Sequence, residues 1–229
     1  LRTGRNCIIR CSGFWYYCRG LSDDLLHTLP SYERIIKYEV LKALSDGDMF
    51  IDVGANIGAF TLEAASKVGK NGLVIAVEPI PQTVAVLRRN LRLNNCGNAV
   101  VVPCAAHSKQ DTLRMFYGAH HTGGASSSFR QNAMSVRVPA IPLDSIVDDF
   151  NQARRLVSVI KVDVEGAELE VVGGASKVFS MTRKVVIEIH ESEGKVVEKL
   201  VSSGFRCKKI GCEGKFFLVC SKADIEDTA

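Results

Sequence analysis

Phe50-Ile51-Asp52-Val53-Gly54-Ala55-Asn56-Ile57-Gly58-Ala59-Phe60 is the stretch whose reading decides the fold. Apolar residues run into an acidic one, then a glycine-punctuated turn, then a helical pattern. This is a strand-to-helix turn of an α/β sheet, with glycines where a ligand approaches the backbone. The spacing D-x-G-x-x-x-G is neither the dinucleotide fingerprint G-x-G-x-x-G nor the phosphate loop G-x-x-x-x-G-K-[ST]. Without a following Lys-Ser/Thr, the turn has little to hold a triphosphate. An acidic residue at a strand end suits a ligand with positive charge or with amine and hydroxyl donors. S-adenosylmethionine (SAM) fits that description.

The flanking chain agrees. Ile36, Val40, Leu41 and Leu44 predict an amphipathic helix over 32–44. Leu62, Ala65 and Val68 predict another after Gly58. Residues 73–77 form a continuous apolar run, as in a strand buried on both faces, ending at Glu78-Pro79. Pro81 opens a helix carrying Val84, Leu87 and Leu91. Residues 99–102 read as a third strand, followed by the loop Cys104-Ala105-Ala106-His107. Three such units predict a doubly wound α/β sheet. Further strands are expected at 112–117, 135–141, 157–163, 184–189, 205–210 and 215–220. Helices are expected at 143–150, at 195–201, and, broken at Gly173-Gly174, over 168–179. The Gly/Ser/His-rich loop 118–128 reads as filler or a lid. The division expected is an N-terminal extension, 1–31, holding a strand or hairpin around Phe14-Trp15-Tyr16-Tyr17, and one domain, 32–229.

Composition narrows the class. With 229 residues, 46% hydrophobic and 24% charged, the chain supports a sizeable single core. A net charge of +4 lacks the dense basic stripe of a nucleic-acid binder; Arg88, Arg89 and Arg92 read as a solvated helix face. No apolar run approaches the roughly 20 residues of a membrane span. Eight cysteines without a C-x-x-C pair predict buried or free thiols in a reducing compartment, the cytoplasm, rather than disulfides or zinc.

Ligands of an open α/β sheet bind beyond the carboxyl ends of its strands. Asp52, Glu78, Asp163, and Glu188 with His190 all fall there. A carboxylate at Glu78 can accept both ribose hydroxyls of an adenosine ligand. Asn56 and the backbone of Gly54 and Ala55 are placed for the amino-acid end of SAM, and Ala105 and Ala106 for its adenine. If the methyl acceptor is an alcohol, a base must take its proton. The candidates are His190, whose ordinary pKa suits the task, Glu165 and Asp163, with Glu188 a second choice. His107, His120 and His121 are weaker candidates, and the acidic residues from Glu165 to Glu168 also read as a helix start favoured by its dipole. The spacing requires no metal.

Residues 48–60 (DMFIDVGANIGAF), Val77-Glu78-Pro79, 141–146 (IPLDSI) and above all 160–175 (IKVDVEGAELEVVGGA) resemble the FkbM family of SAM-dependent methyltransferases. The resemblance runs from about Tyr32 to His190, and Tyr32-Glu33 and Ser126-Ser127-Ser128 share it. It implies a Rossmann-like, mostly parallel seven-stranded sheet, SAM as cofactor, and methyl transfer to oxygen, commonly a hydroxyl of a small molecule, sugar or glycan. It also implies that Glu33, Asp52, Gly54, Asn56, Gly58 and Glu78 bind SAM, and that Asp163 and Glu165 face donor and acceptor. Competing readings are methylation of nitrogen, RNA or protein, an NAD oxidoreductase, and a non-catalytic binding protein. Asp163-Val164-Glu165-Gly166 stands where an N-P-P-Y-type motif would mark amino-group chemistry on bases. The missing G-x-G-x-x-G opposes NAD.

Overall fold

The structure, a computed structural model, describes residues 4–118, 133–152 and 155–222. The chain begins with a hairpin, β1 (Cys7–Cys11) and β2 (Phe14–Cys18), followed by the short helices α1 (Asp24–His27) and α2 (Arg34–Leu41). Two β-α steps and a third strand follow: β3 (Met49–Val53), α3 (Ala59–Val68), β4 (Leu73–Val77), α4 (Pro81–Leu93) and β5 (Ala99–Val102). Next come β6 (Ala105–Ala106), β7 (Asp111–Tyr117), β8 (Met134–Ile141) and α5 (Leu143–Phe150). The last part holds β9 (Val157–Val162), α6 (Glu168–Gly173), α7 (Ser176–Ser180), β10 (Thr182–Glu188), α8 (Glu193–Ser202), β11 (Phe205–Cys212) and β12 (Lys215–Lys222).

Seven strands form one sheet in the order β11-β12-β10-β9-β3-β4-β5. The five from β10 to β5 are parallel, and β11 and β12 close one edge antiparallel. Every residue of β3 and β9 is buried, because crossover helices cover both faces of a parallel sheet. One apolar layer packs Ile51, Ile75, Ile160 and Ile187 under α5 to α8; the other packs Phe50, Val74, Val159 and Val186 under α2 and α3. The chain leaves β3 in one direction along the sheet and returns at β9 on its other side. The topological switch therefore lies between Val53 and Val162.

The strands expected at 112–117 and 135–141 exist but lie outside the main sheet. They pair with each other as β7 and β8, and β8 pairs with β6 in a separate three-stranded sheet. The two-residue β6 was read as loop, being too short for any periodicity to show. The helix expected over 32–44 is shorter at both ends.

The N-terminal hairpin docks on α4. Asn90 Oδ1 accepts from the Tyr17 amide at 2.7 Å, and Asn94, one helical turn on, accepts from the Trp15 amide and donates to its carbonyl. Two side-chain amides four residues apart thus satisfy the free edge of β2 as a neighbouring strand would.

The cysteine expectation needs correction at one pair. Cys207 and Cys220 face each other across β11 and β12 with Cα atoms 4.0 Å apart, and they form a disulfide. Nothing in the spacing of the two marks them as partners, since their pairing is made by strand register. Cys11, Cys18, Cys96, Cys104 and Cys212 carry free thiols. No described helix is long and apolar enough to cross a membrane.

Candidate functional site

A cavity of about 450 Å³ opens at the switch point, a size ordinary for a cofactor site. The turn after β3 makes its floor. The amides of Gly54 and Ala55 both donate to the Val77 carbonyl, at 2.9 and 3.0 Å, pinning the turn to the end of β4. Gly54 has φ +80°, and a Cβ there would stand 1.8 Å from the Asp163 carbonyl oxygen. Only glycine allows β3 and the loop after β9 to come this close.

Gly54, Ala55, Asn56, Glu78, Ala105, Ala106, Asp163 and Glu165 line the cavity as the sequence led one to expect. Glu78 is 6% exposed, and each of its oxygens accepts one amide, Oε1 from Ile80 and Oε2 from Asn56, both at 3.0 Å. A second lone pair remains on each oxygen. Burial, partly offset by those two hydrogen bonds, pushes Glu78 up to about 7. Asn56 holds φ +49°, and its Oδ1 is buried without a hydrogen-bond partner among the described residues.

Other expected residues do not line the cavity. Asp52 lies beneath the turn, fully buried; it accepts from Thr61 Oγ1 at 2.6 Å and lies 4.0 Å from Lys161 Nζ. Its place one residue before the end of β3 turns its side chain toward α3, while the ligand-facing position falls to the turn itself. Gly58 serves packing: a Cβ there would meet Leu87 Cδ1 at 2.5 Å. Glu33, the N-cap of α2, is also fully buried.

Glu188 and His190 sit behind the cavity wall. His190 Nδ1 lies 2.9 Å from Glu168 Oε1, and its Nε2 lies 3.3 Å from Glu188 Oε1 and 3.6 Å from Glu165 Oε2. Chiefly through the Glu168 hydrogen bond, against burial and with help from the neighbouring carboxylates, His190 is pushed up to about 9. The shift favours its imidazolium form. Glu168 Oε1 also accepts the Gly166 amide at 2.9 Å, so His190 and Glu168 together fasten the 163–168 loop to the end of β10. A group whose folded pKa is raised adds stability that is full below its unfolded value, near 6.5, and lost as pH rises through about 9. His190→Gln should accordingly lower the unfolding midpoint at pH 6 and leave it nearly unchanged at pH 10. Equal losses at both pH values would remove the charge from this account.

Two lysines missed in the sequence complete the wall. Lys161, on β9, is 4% exposed, lies 3.1 Å from Asp163 Oδ2, and sits over the Phe60 ring. Lys215, at the start of β12, lies 3.1 Å from Glu33 Oε1 and 2.9 Å from Glu188 Oε2. Carboxylate oxygens of Glu33, Asp163 and Glu188 fall within 4.8 Å of one another, close enough to hold a cation, and the Lys215 ammonium supplies positive charge there. Burial raises Asp163, but Lys161 and Lys215 outweigh it and hold the carboxyl below its ordinary value. Glu188, buried beside that carboxylate, is pushed up to about 7.

From the N-terminal segment, Asp23, Leu26, His27 and Tyr32 close the cavity; of these only Tyr32 is marked by the family resemblance, and no periodicity or motif marks the other three. The expected loop histidines His120 and His121, and Ser126 to Ser128, lie outside the described residues. His107 lines the cavity from beyond β6, with Nε2 3.7 Å from Glu170.

Comparison with known proteins agrees with this geometry. The Methyltransferase FkbM domain family matches residues 52–207. The 31-O-demethyl-FK506 methyltransferase FkbM of Streptomyces tacrolimicus is 27% identical over 197 residues, covering 71% of this chain and 74% of that one. The hexuronic acid methyltransferase AglP of Haloferax volcanii is 28% identical over 166 residues, covering 71% and 65%. Among solved structures, Aeropyrum pernix fibrillarin with bound S-adenosyl-L-methionine superimposes with a TM-score of 0.53. It covers 96% of this chain and 84% of that one at 15% identity, a likeness of fold alone.

Proposed function

This chain belongs to the FkbM family of SAM-dependent methyltransferases, and we propose that it methylates a hydroxyl oxygen of a small molecule, sugar or glycan. SAM supplies an electrophilic methyl group on a sulfonium centre. The cavity suits that donor: Glu78 has a free lone pair on each oxygen for ribose hydroxyls, and the Asn56 Oδ1 lacks a partner beside the turn. In our reading Gly54, Ala55 and Asn56 hold the amino-acid end, Glu78 the ribose, and Ala105 and Ala106 border the adenine. Asp52, Gly58 and Glu33 support that bed from beneath.

The observation that carries the hydroxyl reading is the presence of proton-accepting groups, Glu165 and Asp163 among them, in the same cavity as the Gly54 turn. A sulfonium methyl needs little activation, so positioning supplies much of the rate, but a neutral alcohol must also lose its proton. Of the relatives, one is named for methyl transfer to an oxygen, 31-O of demethyl-FK506, and one for a sugar acid, hexuronic acid. In this reading Lys161 and the His190–Glu168 pair act as positioning groups, keeping Asp163 ionised and Glu165 in place.

The test is to incubate the protein with cell extract and methyl-labelled SAM, then determine the linkage of the label. Label in an ether that survives alkaline hydrolysis is expected. Label on nitrogen or carbon, on RNA or on protein would refute the hydroxyl reading, and failure to bind SAM up to millimolar concentration would refute donor binding as well.

A further inference from the structure

We propose that the Glu170 carboxylate recognises the exocyclic amine of the adenine, an inference that rests on the placement of the donor above. Glu168 and Glu170 stand two positions apart on α6, so their side chains leave the helix roughly 200° apart. Glu168 turns inward to His190 and is buried. Glu170 turns the other way and lines the cavity together with His107. Its Oε2 accepts from Ser108 Oγ and lies 3.7 Å from His107 Nε2. Its Oε1 has no hydrogen-bond partner among the described residues, and the side chain is 46% exposed. One carboxylate oxygen is thus fixed while the other stays open to a ligand.

A close approach of two segments builds this corner. Where α6 ends, a Cβ on Gly174 would stand 2.0 Å from the His107 carbonyl oxygen, and one on Gly173 would stand 3.1 Å from Ser108 Cβ. The His107 amide is held in turn by the Ile141 carbonyl at 3.0 Å. The two glycines of the 160–175 motif therefore let His107 and Ser108 lie against α6. Ser108 then orients a carboxylate that would otherwise turn freely at the rim.

Position and chemistry select the amine. With the ribose on Glu78 at the end of β4 and the base against Ala105 and Ala106, the base reaches toward His107, the next residue. The edge of adenine farthest from the ribose carries N1, an acceptor, and the amine, a donor. A carboxylate only accepts, so of these two groups it pairs with the amine. Leu113 and Met115 from β7 line the same cavity and offer apolar contact to the ring.

Calorimetry with S-adenosylhomocysteine and S-inosylhomocysteine tests this. The two differ only in the base, where the second carries a carbonyl oxygen in place of the amine and a proton on N1. Wild type should bind the adenosine compound roughly 10- to 100-fold more tightly, since Glu170 meets a donor in one and an acceptor in the other. In Glu170→Gln the amide can serve either base, and the preference should fall below about threefold. A purely structural role for Glu170 would weaken both compounds alike and leave the preference as in wild type, a result that overturns the proposal. Equal affinities in wild type overturn it too and leave the donor placement standing. Binding of neither compound up to millimolar concentration overturns the donor placement and this proposal with it.

Discussion

Lys161→Met is expected to cost about 3–5 kcal/mol of folding stability, the usual penalty for removing one partner of a buried ion pair. Lys161 is 4% exposed in the middle of the parallel sheet, 3.1 Å from Asp163 Oδ2 and 4.0 Å from Asp52 Oδ1. Methionine fills similar space and keeps contact with the Phe60 ring, so most of the loss comes from two buried carboxyls left without their cation. Denaturant unfolding at pH 7 measures it, and a loss under about 1 kcal/mol would show the lysine to be dispensable. Asp163 adds a pH signature. Lys161 helps hold this carboxyl low, so the stability it contributes is present above its unfolded value and lost as pH falls through its folded one. The gap between wild type and variant should therefore narrow in acid.

Glu78→Ala should weaken SAM binding by about 2–4 kcal/mol, roughly 30- to 1,000-fold in Kd, with little effect on the fold. In the proposed binding mode the alanine removes both acceptors for the ribose hydroxyls, and it leaves the Ile80 and Asn56 amides unpaired at the cavity wall. Calorimetry at pH 8 reads the loss, and a Kd within threefold of wild type would move the ribose elsewhere. Because burial pushes Glu78 up to about 7, wild-type affinity should weaken on going from pH 8 to pH 6 as the carboxylate takes up a proton. In Glu78→Ala that dependence should flatten.

These two residues show how unevenly the site was written in the sequence. The place of Glu78 in the cavity wall is legible because it follows from position, a carboxylate at the end of the strand after the glycine turn. Lys161 was not, because a charged residue in an apolar strand run gives no sign of what lies across from it. Asp52 stood out as strongly as Glu78 and proved to lie beneath the site, since a side chain's face depends on where its strand ends to within one residue. The ordinary pKa of a histidine makes His190 stand out in the sequence, whereas the three carboxylates that surround it, and that push its pKa up, come from positions no local pattern links to it.

The sequence by itself determined the architecture: apolar runs, glycine turns and proline starts recur locally and require a parallel sheet with its ligand at the carboxyl ends. It also carries the family resemblance, through 160–175, and marks the cavity-lining residues of the Gly54 turn and Glu78, because these sit within a few positions of strand ends. Tertiary structure alone decided which side chains share the cavity. Lys215 from the last hairpin, His27 from α1, Tyr32 from the turn before α2, and the Cys207–Cys220 pairing come together through sheet order and register, which bring distant segments into contact. Tertiary structure also shifts their titration, since burial, absent from any linear pattern, lowers the pKa of His27 and neighbouring carboxylates raise that of His190.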